Sequence, residues 1–429
     1  MRKLPLLIAI GIFITAVFVF KQPISKIAPS PTPMPSPSSL VSKEEIFDGI
    51  GYVSVNPKLG VSILAQNVVA PTRIKITPDG KYLLVTQLTG EILAFNRINE
   101  AWSSTPYLVA KIDTKSPGFP PDEFGLVGLV FSAEYATNHK AFLLYSYLES
   151  EGKYLNRISS VTLEEKDRKL TASAPQMIFQ AVTLGNVSHQ ITDGLGVIHQ
   201  GKPHLVFLIG EGFKGKLAQD EAAEAGKLMM IQEDGTYPAG SRPYPNRPKI
   251  EALGIRNAYV IAENPFDAHK RWLIADTGPD KYDRLIYTRT ASDSGTFKPV
   301  NFGWNGEETI LKKPIKDPNF PRVNDMVLYR FPQTRTVTGL AFMPDKKILM
   351  TLFGKTGSVE NTPGKEIWQG TITNLTGQPR LTFTPIIKRN PQANGKLGNP
   401  IGLEVDPQTG DFFFADILEG RIYQVKQNK

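Results

Sequence analysis

Short apolar runs that alternate with polar residues, each bounded by a cluster of proline, aspartate and glycine, recur from residue 60 to the end of the chain. The clearest are "PTRIKITPDGKYLLVTQLTGEILAF" at 71–95, "VTGLAFMPDKKILMTLFG" at 337–354 and "PIGLEVDPQTGDFFFADILEGRIYQV" at 400–425. Fainter copies lie at 125–148, 193–212 and 257–278. Side chains of β-branched or aromatic type repeat with period two, so each run predicts a strand and each cluster a tight turn. No long stretch carries the 3.6-residue period of an amphipathic helix. The segment "LAQDEAAEAGKLMMI" at 217–231 has helix-forming composition and predicts a short surface excursion ahead of a strand.

Six copies at intervals of roughly 50 to 80 residues, each a sheet unable to bury both faces alone, predict an all-β fold, a six-bladed β-propeller over residues 60–429. Closing the ring needs a strand from the other end of the chain. "GVSILAQNVVAP" at 60–71 has the alternation for it, and it is expected to complete the blade begun by 400–425.

The first residues break this pattern. Arg2 and Lys3 precede an uncharged apolar stretch from Leu4 to Phe20, which as a helix rises roughly 25 Å, slightly less than a bilayer core. No small-residue cleavage site follows it, so residues 1–22 are expected to form an uncleaved transmembrane signal anchor that leaves the remainder outside the cytoplasm. The alternative is a cleaved signal and a secreted or periplasmic protein. Residues 23–59 form a proline- and serine-rich stalk and lead-in. Proline at every second position from Pro29 to Pro37 favours polyproline II, a spacer of about 3.1 Å per residue.

Composition changes the picture in two ways. The chain has no cysteine, which excludes disulfides, thiolate catalysis and cysteine-bound metal. The net charge of +8 is spread along the chain without an arginine-rich run, so nucleic acid is not expected as a partner.

Candidate chemistry centres on "NVSHQITDGLG" at 186–196, where His189 stands between a polar turn and an apolar run, with Asp193 four residues on as a plausible hydrogen-bond partner. "GEGFKG" at 210–215 lacks the phosphate-loop lysine pattern and reads as a blade turn. His139, His199, His204 and His269 fall in polar contexts without metal-ligand spacing and read as surface residues. Asn186 and Asn374 begin glycosylation sequons, which matter only in a host that glycosylates exported proteins.

"EFGLVGLVFSAEYATNHKAFLLYSY" at 123–147 resembles the glucose/sorbosone dehydrogenase family, whose segment reads like "GLLGLAFHPDF". Further similarities follow in the family's order: His189, "GKLMMIQEDG" at 226–235, "LGIRNAYVIAENPF" at 253–266, "TGPDKYDRLIY" at 277–287, "NFGWNG" at 301–306 and "VTGLAF" at 337–342. The resemblance implies an enzyme that binds pyrroloquinoline quinone and Ca²⁺ at the top of the central channel and oxidises aldose sugars. It implies His189 as the base that takes the sugar's hydroxyl proton, and Arg256, Asn257 and Glu123 as cofactor contacts. It implies carbonyls of Gly278 and Pro279, with Asp280 beside them, as the metal site; Asp283 is also close by. The electron acceptor is not implied.

The chain also departs from the family pattern. "NPIG" at 399–402 stands where the family has "RIRD", whose arginines help hold the cofactor's carboxylates, and Ile255 replaces the histidine of "GHRN". The other reading of the same fold is therefore a non-catalytic propeller that binds a glycan or a protein with that face.

Overall fold

The computed structural model describes residues 46–427 apart from 119–120, 151–152, 185–186, 239–246, 269, 280, 289–299, 309–326, 355–363 and 374–378. The apolar stretch expected as an anchor, the proline-rich stretch up to residue 45, Asp280, His269, Asn186 and Asn374 lie outside the described residues. Among the described residues no helix is long and apolar enough to cross a membrane.

Among the described residues six sheets follow one another along the chain, antiparallel except where Lys249–Leu253 pairs with Val300–Asn301 in parallel. Their first strands are Pro71–Ile76, Leu126–Phe131, Ile191–His199, Ala258–Glu263, Val337–Phe342 and Pro400–Val405. Each first strand contacts the next, and the sixth contacts the first. That is a closed ring of six blades with the first strands innermost, as the repeats predict.

The closure also follows the prediction. Leu59–Ala65 forms the outer strand of blade six, pairing with Arg421–Gln427 in a register that sets Val61 opposite Val425. A second contribution was not legible in the sequence: Tyr52–Ser54, within the lead-in, pairs with Arg380–Arg389 and adds a fifth strand to blade five.

The core is divided among the six interfaces between neighbouring blades, because every sheet is covered on both faces. "GDFFFAD" illustrates how a strand serves two interfaces. Phe412 and Phe414 pack toward blade five among Leu349, Ile367 and Leu403, whereas Phe413 turns to blade one among Ile74, Leu83 and Phe95. All three are fully buried, each worth about 1.5–3 kcal/mol relative to exposure. Period two thus gives three consecutive phenylalanines two destinations.

Where residues 217–231 were expected to make a short surface excursion ahead of a strand, the chain makes a single 3₁₀ turn, Gly215–Gln219, before the strand Lys227–Gln232. The side chain of Lys227 is fully buried beneath it. Its ammonium donates to the carbonyls of Leu217 at 2.8 Å, Ala218 at 3.1 Å and Ala225 at 2.7 Å, tying the excursion to blade three. Burial lowers its pKa to about 8. One surface expectation fails: His204 is buried, with Nδ1 on the Lys202 carbonyl at 2.9 Å and its ring edge-on to His199.

Candidate functional site

In an antiparallel blade, the loop entering the first strand and the turn between the second and third lie at the same end. Glu123, His189, Arg256 and Asn257 precede first strands; Glu211 and Gly278 follow second strands. Topology alone therefore gathers them at one end of the ring.

His189 is held on every side. It is 3% exposed, with a backbone φ of 62°, a region in which histidine is enriched among non-glycine residues. Its N–H donates to Glu123 Oε2 at 2.8 Å. Its imidazole Nδ1 lies 2.7 Å from Glu211 Oε1. The ring of Phe213 stacks on it at 4.0 Å and 17°. The backbone of blade three approaches so closely that a Cβ at Gly210 would sit 2.7 Å from the His189 carbonyl oxygen. Glycine is required there.

The expected partner of His189, Asp193, is engaged elsewhere. It points along the channel, where its Oδ2 lies 3.6 Å from Arg73 Nη1 and accepts the Ile261 N–H at 3.2 Å. Glu211 takes its place. It sits in "GEGFKG", which sequence reading reduced to a turn, and the missed signal was an acidic residue at a strand end beside glycine.

Glu123 joins two blades further. Its Oε2 also accepts from Asn257 Nδ2 at 3.0 Å, while Asn257 Oδ1 is buried without a partner. Asp276 Oδ1 accepts the N–H groups of Arg256 at 3.1 Å and Asn257 at 2.8 Å, and its other oxygen pairs with Arg284. Arg256 Nη1 donates to the carbonyls of Thr277 at 3.0 Å and Gly278 at 3.1 Å, and its guanidinium lies 5.7 Å from the centre of the Trp304 ring. Asp283 accepts the Gly278 N–H at 2.8 Å and pins Arg335 and Thr336 of the next blade at 2.7 Å, so it serves as a brace; burial raises its pKa. The residues singled out by resemblance form one connected network, from Glu123 through His189 and Asn257 to Gly278. Pro279 adjoins it and is partly exposed.

Beside this network an axial cavity of about 230 Å³ opens. Ser188, the neighbour of His189 in sequence, lines it; His189 itself is buried. Its polar lining includes Arg73, Asp122, Glu123 and Tyr259, and much of the remaining wall is apolar: Leu88, Val127, Phe353, Ile401 and Ile417. Desolvation, and then the Glu123 carboxylate, raise the Tyr259 hydroxyl well above the usual phenol range, which keeps it a donor. Along the channel Arg73 pairs with Asp193, and Lys75 with Glu404 at 3.6 Å. Among the described residues no group of three or more histidine, aspartate or glutamate side chains is placed to hold a metal ion.

Solved structures share this architecture. A putative glucose dehydrogenase from Thermus thermophilus superposes with a TM-score of 0.64 at 17% identity, covering 86% of this chain and 99% of that one. The PQQ-bound aldose sugar dehydrogenase of Streptomyces coelicolor gives 0.60 at 18% identity, with the same coverage. Among curated proteins, the aldose sugar dehydrogenase YliI of Escherichia coli (strain K12) is 23% identical over 250 residues, 57% of this chain. The match spans 62% of that relative's length. The glucose/sorbosone dehydrogenase family model matches residues 68–312, more than half of the sequence, and the chain belongs to that family.

Proposed function

We propose that this chain is a sugar-directed oxidoreductase of the aldose dehydrogenase type, in which His189 takes the proton of a sugar hydroxyl. The observation that carries this reading is the 2.7 Å contact between His189 Nδ1 and Glu211. With Nδ1–H donated to the carboxylate, the Nε2 lone pair is free to accept a proton, and the carboxylate stabilises the imidazolium that results. Glu123 fixes the histidine backbone and Phe213 covers one face of the ring, so the base is positioned before substrate arrives. The sugar carbon gives up hydride, two electrons and one proton, to a quinone- or phenazine-type acceptor, while the hydroxyl proton goes to His189.

The residues present do not fit a carboxylate-bearing quinone with calcium. The Gly278 carbonyl, implied as a metal ligand, already receives a hydrogen bond from a cation, the Arg256 guanidinium at 3.1 Å, which repels a second positive charge beside it. Ile401 lines the cavity where the family carries an arginine, and Asp122 and Glu123 line the same space. The proton step is therefore derived without that group.

The full-length protein in detergent, assayed with neutral aldoses and phenazine methosulfate, with and without added pyrroloquinoline quinone and Ca²⁺, tests the proposal. Aldose-dependent dye reduction in either condition is expected; its absence from both overturns it. Ile401 on the wall favours the second reading, a non-catalytic propeller that binds a glycan or protein, and that reading predicts this absence.

We also propose that the propeller is held outside the cytoplasm by the apolar stretch from Leu4 to Phe20. N-terminal sequencing of the membrane fraction checks it, and a mature terminus near Ala28 sinks it.

A further inference from the structure

The lead-in residues Ile46 to Ser54 cross the cavity end of the ring between blades five and six. Ile46 bridges to Leu397, and Asn390 binds the Gly51 carbonyl through its N–H and the Ile50 carbonyl through its side chain, each at 2.8 Å. Both partners lie in the connection that enters the first strand of blade six. This strap is fastened over a buried cluster of charges. Tyr52 Oη donates to Asp416 Oδ2 at 2.6 Å, the Gly51 N–H donates to Tyr423 Oη at 3.2 Å, and Arg421 Nη1 donates to the Gly49 carbonyl at 2.7 Å.

At the centre of the cluster stands Glu419, its side chain wholly buried. Arg389 Nη1 donates to its Oε1 at 2.5 Å, Tyr423 Oη donates to its Oε2, and Arg421 Nη1 lies 3.7 Å from the same oxygen. Its own N–H donates to Asp416 Oδ1 at 2.9 Å, which holds a second carboxylate alongside, and Arg389 Nη1 lies 3.9 Å from Asp416 Oδ2. From blade five Lys365, 5% exposed, adds a further positive charge nearby. The strap is itself the cover of Glu419: a Cβ at Gly51 would collide with the carboxylate, so lifting the strap admits water to it. Burial, and then the Asp416 carboxylate, push the Glu419 carboxyl up to about 7, with Arg389 opposing. Arg389 also joins the cluster to the site. Its Nη2 donates to the Leu397 carbonyl at 2.7 Å, and Leu397 packs with Phe353, Ile401 and Ile417 of the cavity wall.

We propose that residues 46–54 are a proton-operated strap, which closes on blades five and six when Glu419 is protonated, loosens when Glu419 ionises, and loosens Leu397 and the apolar wall of the cavity with it. With the strap lifted, Glu419 meets water and returns toward the ordinary value of 4.5. The closed state therefore keeps a proton that the open state has lost between pH 4.5 and about 7. Closure is tightest below that window, weakens about tenfold per pH unit through it, roughly 300-fold in full, and changes no further above it. Lys365 acts in the opposite sense. Burial, and then Arg389, lower its pKa, so its titration favours the closed state as pH rises.

Hydrogen exchange read by mass spectrometry on the full-length protein in detergent tests the proposal, with rates expressed as protection factors between about pH 4.5 and 7.5. Peptides covering residues 46–55 and 396–403 are expected to lose protection together as pH rises, about tenfold per unit, while the strand Leu59–Ala65 on blade six keeps its protection. Glu419→Gln cannot ionise, and it is expected to hold both peptides at constant protection across the range; retained protection cannot come from misfolding. A flat profile in the wild type overturns the proposal, and so does a fall that persists unchanged in Glu419→Gln. An equal fall at Leu59–Ala65 overturns it too, because the whole of blade six would then be loosening. A strap that loosens while 396–403 stays protected overturns its link to the cavity.

Discussion

The two sides of the axial cavity are built on opposite principles. The side formed by blades two to four is a continuous hydrogen-bond network, in which Glu123, His189, Glu211, Asn257 and Asp276 fix one another across three sheets. The side formed by blades five, six and one presents an apolar wall of Phe353, Ile401, Ile417 and Leu88, interrupted by Arg73 and the threonines Thr72, Thr336 and Thr338. Resemblance implies proton handling on the first side and much of the cofactor's charge neutralisation on the second. The difference teaches that these duties are separable: a network that satisfies its own polar groups persists without the ligand, whereas arginines that exist to meet a ligand's carboxylates have no other partner to retain them.

The comparison breaks most sharply at His189. His189→Ala should lower aldose-dependent dye reduction by roughly 10² to 10⁴-fold, the usual contribution of a positioned base. It should also lower the melting temperature, because Glu211 is then buried without its partner, at a cost of about 1–3 kcal/mol. Glu211→Gln keeps a hydrogen-bond acceptor but not the charge, so the loss of rate is smaller. If both variants reduce dye at the wild-type rate, the polar side is structural only.

Lys227 sharpens the comparison from beneath, since it anchors the excursion behind the polar side. Its folded pKa, lowered to about 8 by burial, lies below the unfolded value near 10.5. Between those values the unfolded chain binds the extra proton, so stability rises with pH from about 8 to about 10.5. The full swing is about 3 kcal/mol at 1.36 kcal/mol per unit. Denaturant titrations at pH 7.5 and pH 10 should show this rise in the wild type and not in Lys227→Met. Equal slopes would mean that the ammonium is solvated in the folded state.

Much of this was legible in the sequence, and the exceptions have physical causes. Alternation and turn clusters located all six blades, and the stretch 60–71, which contains most of the strand Leu59–Ala65, was readable as the closure because it alternates upstream of the first full repeat. Tyr52–Ser54 is only three residues long and carries no repeating pattern, so its pairing with blade five was invisible. Within the site, the residues read from motifs, Glu123, His189, Arg256, Asn257 and Gly278, do meet. Glu211 and Arg73 were missed because neither has local meaning: Glu211 acquires His189, 22 positions away, only when the first two strands of blade three pair, and Arg73 acquires Asp193 only when the ring closes. Asp193 misled for the converse reason. Four residues is helical spacing, whereas in a strand it places Asp193 well along the channel from His189.

The smallest effect separates cover from strain at Phe213. This residue is 55% exposed, stacks flat on the His189 ring and has a φ of 59°, a left-handed conformation that a side chain bearing Cβ adopts at a cost of about 1–2 kcal/mol. Removing the ring should lose about 0.5–1.5 kcal/mol of stacking. Phe213→Ala and Phe213→Gly both remove it, but only glycine also relieves the backbone. Phe213→Gly should therefore melt at or above Phe213→Ala, against the ordinary order in which glycine loses through its greater unfolded-state entropy. Both variants should reduce dye more slowly than the wild type if the ring shields the base from water, and the two should match each other in rate, because they share the uncovered imidazole. A Phe213→Gly variant that melts below Phe213→Ala would show that no strain is stored at this turn, and would leave stacking as the residue's whole contribution to the polar side.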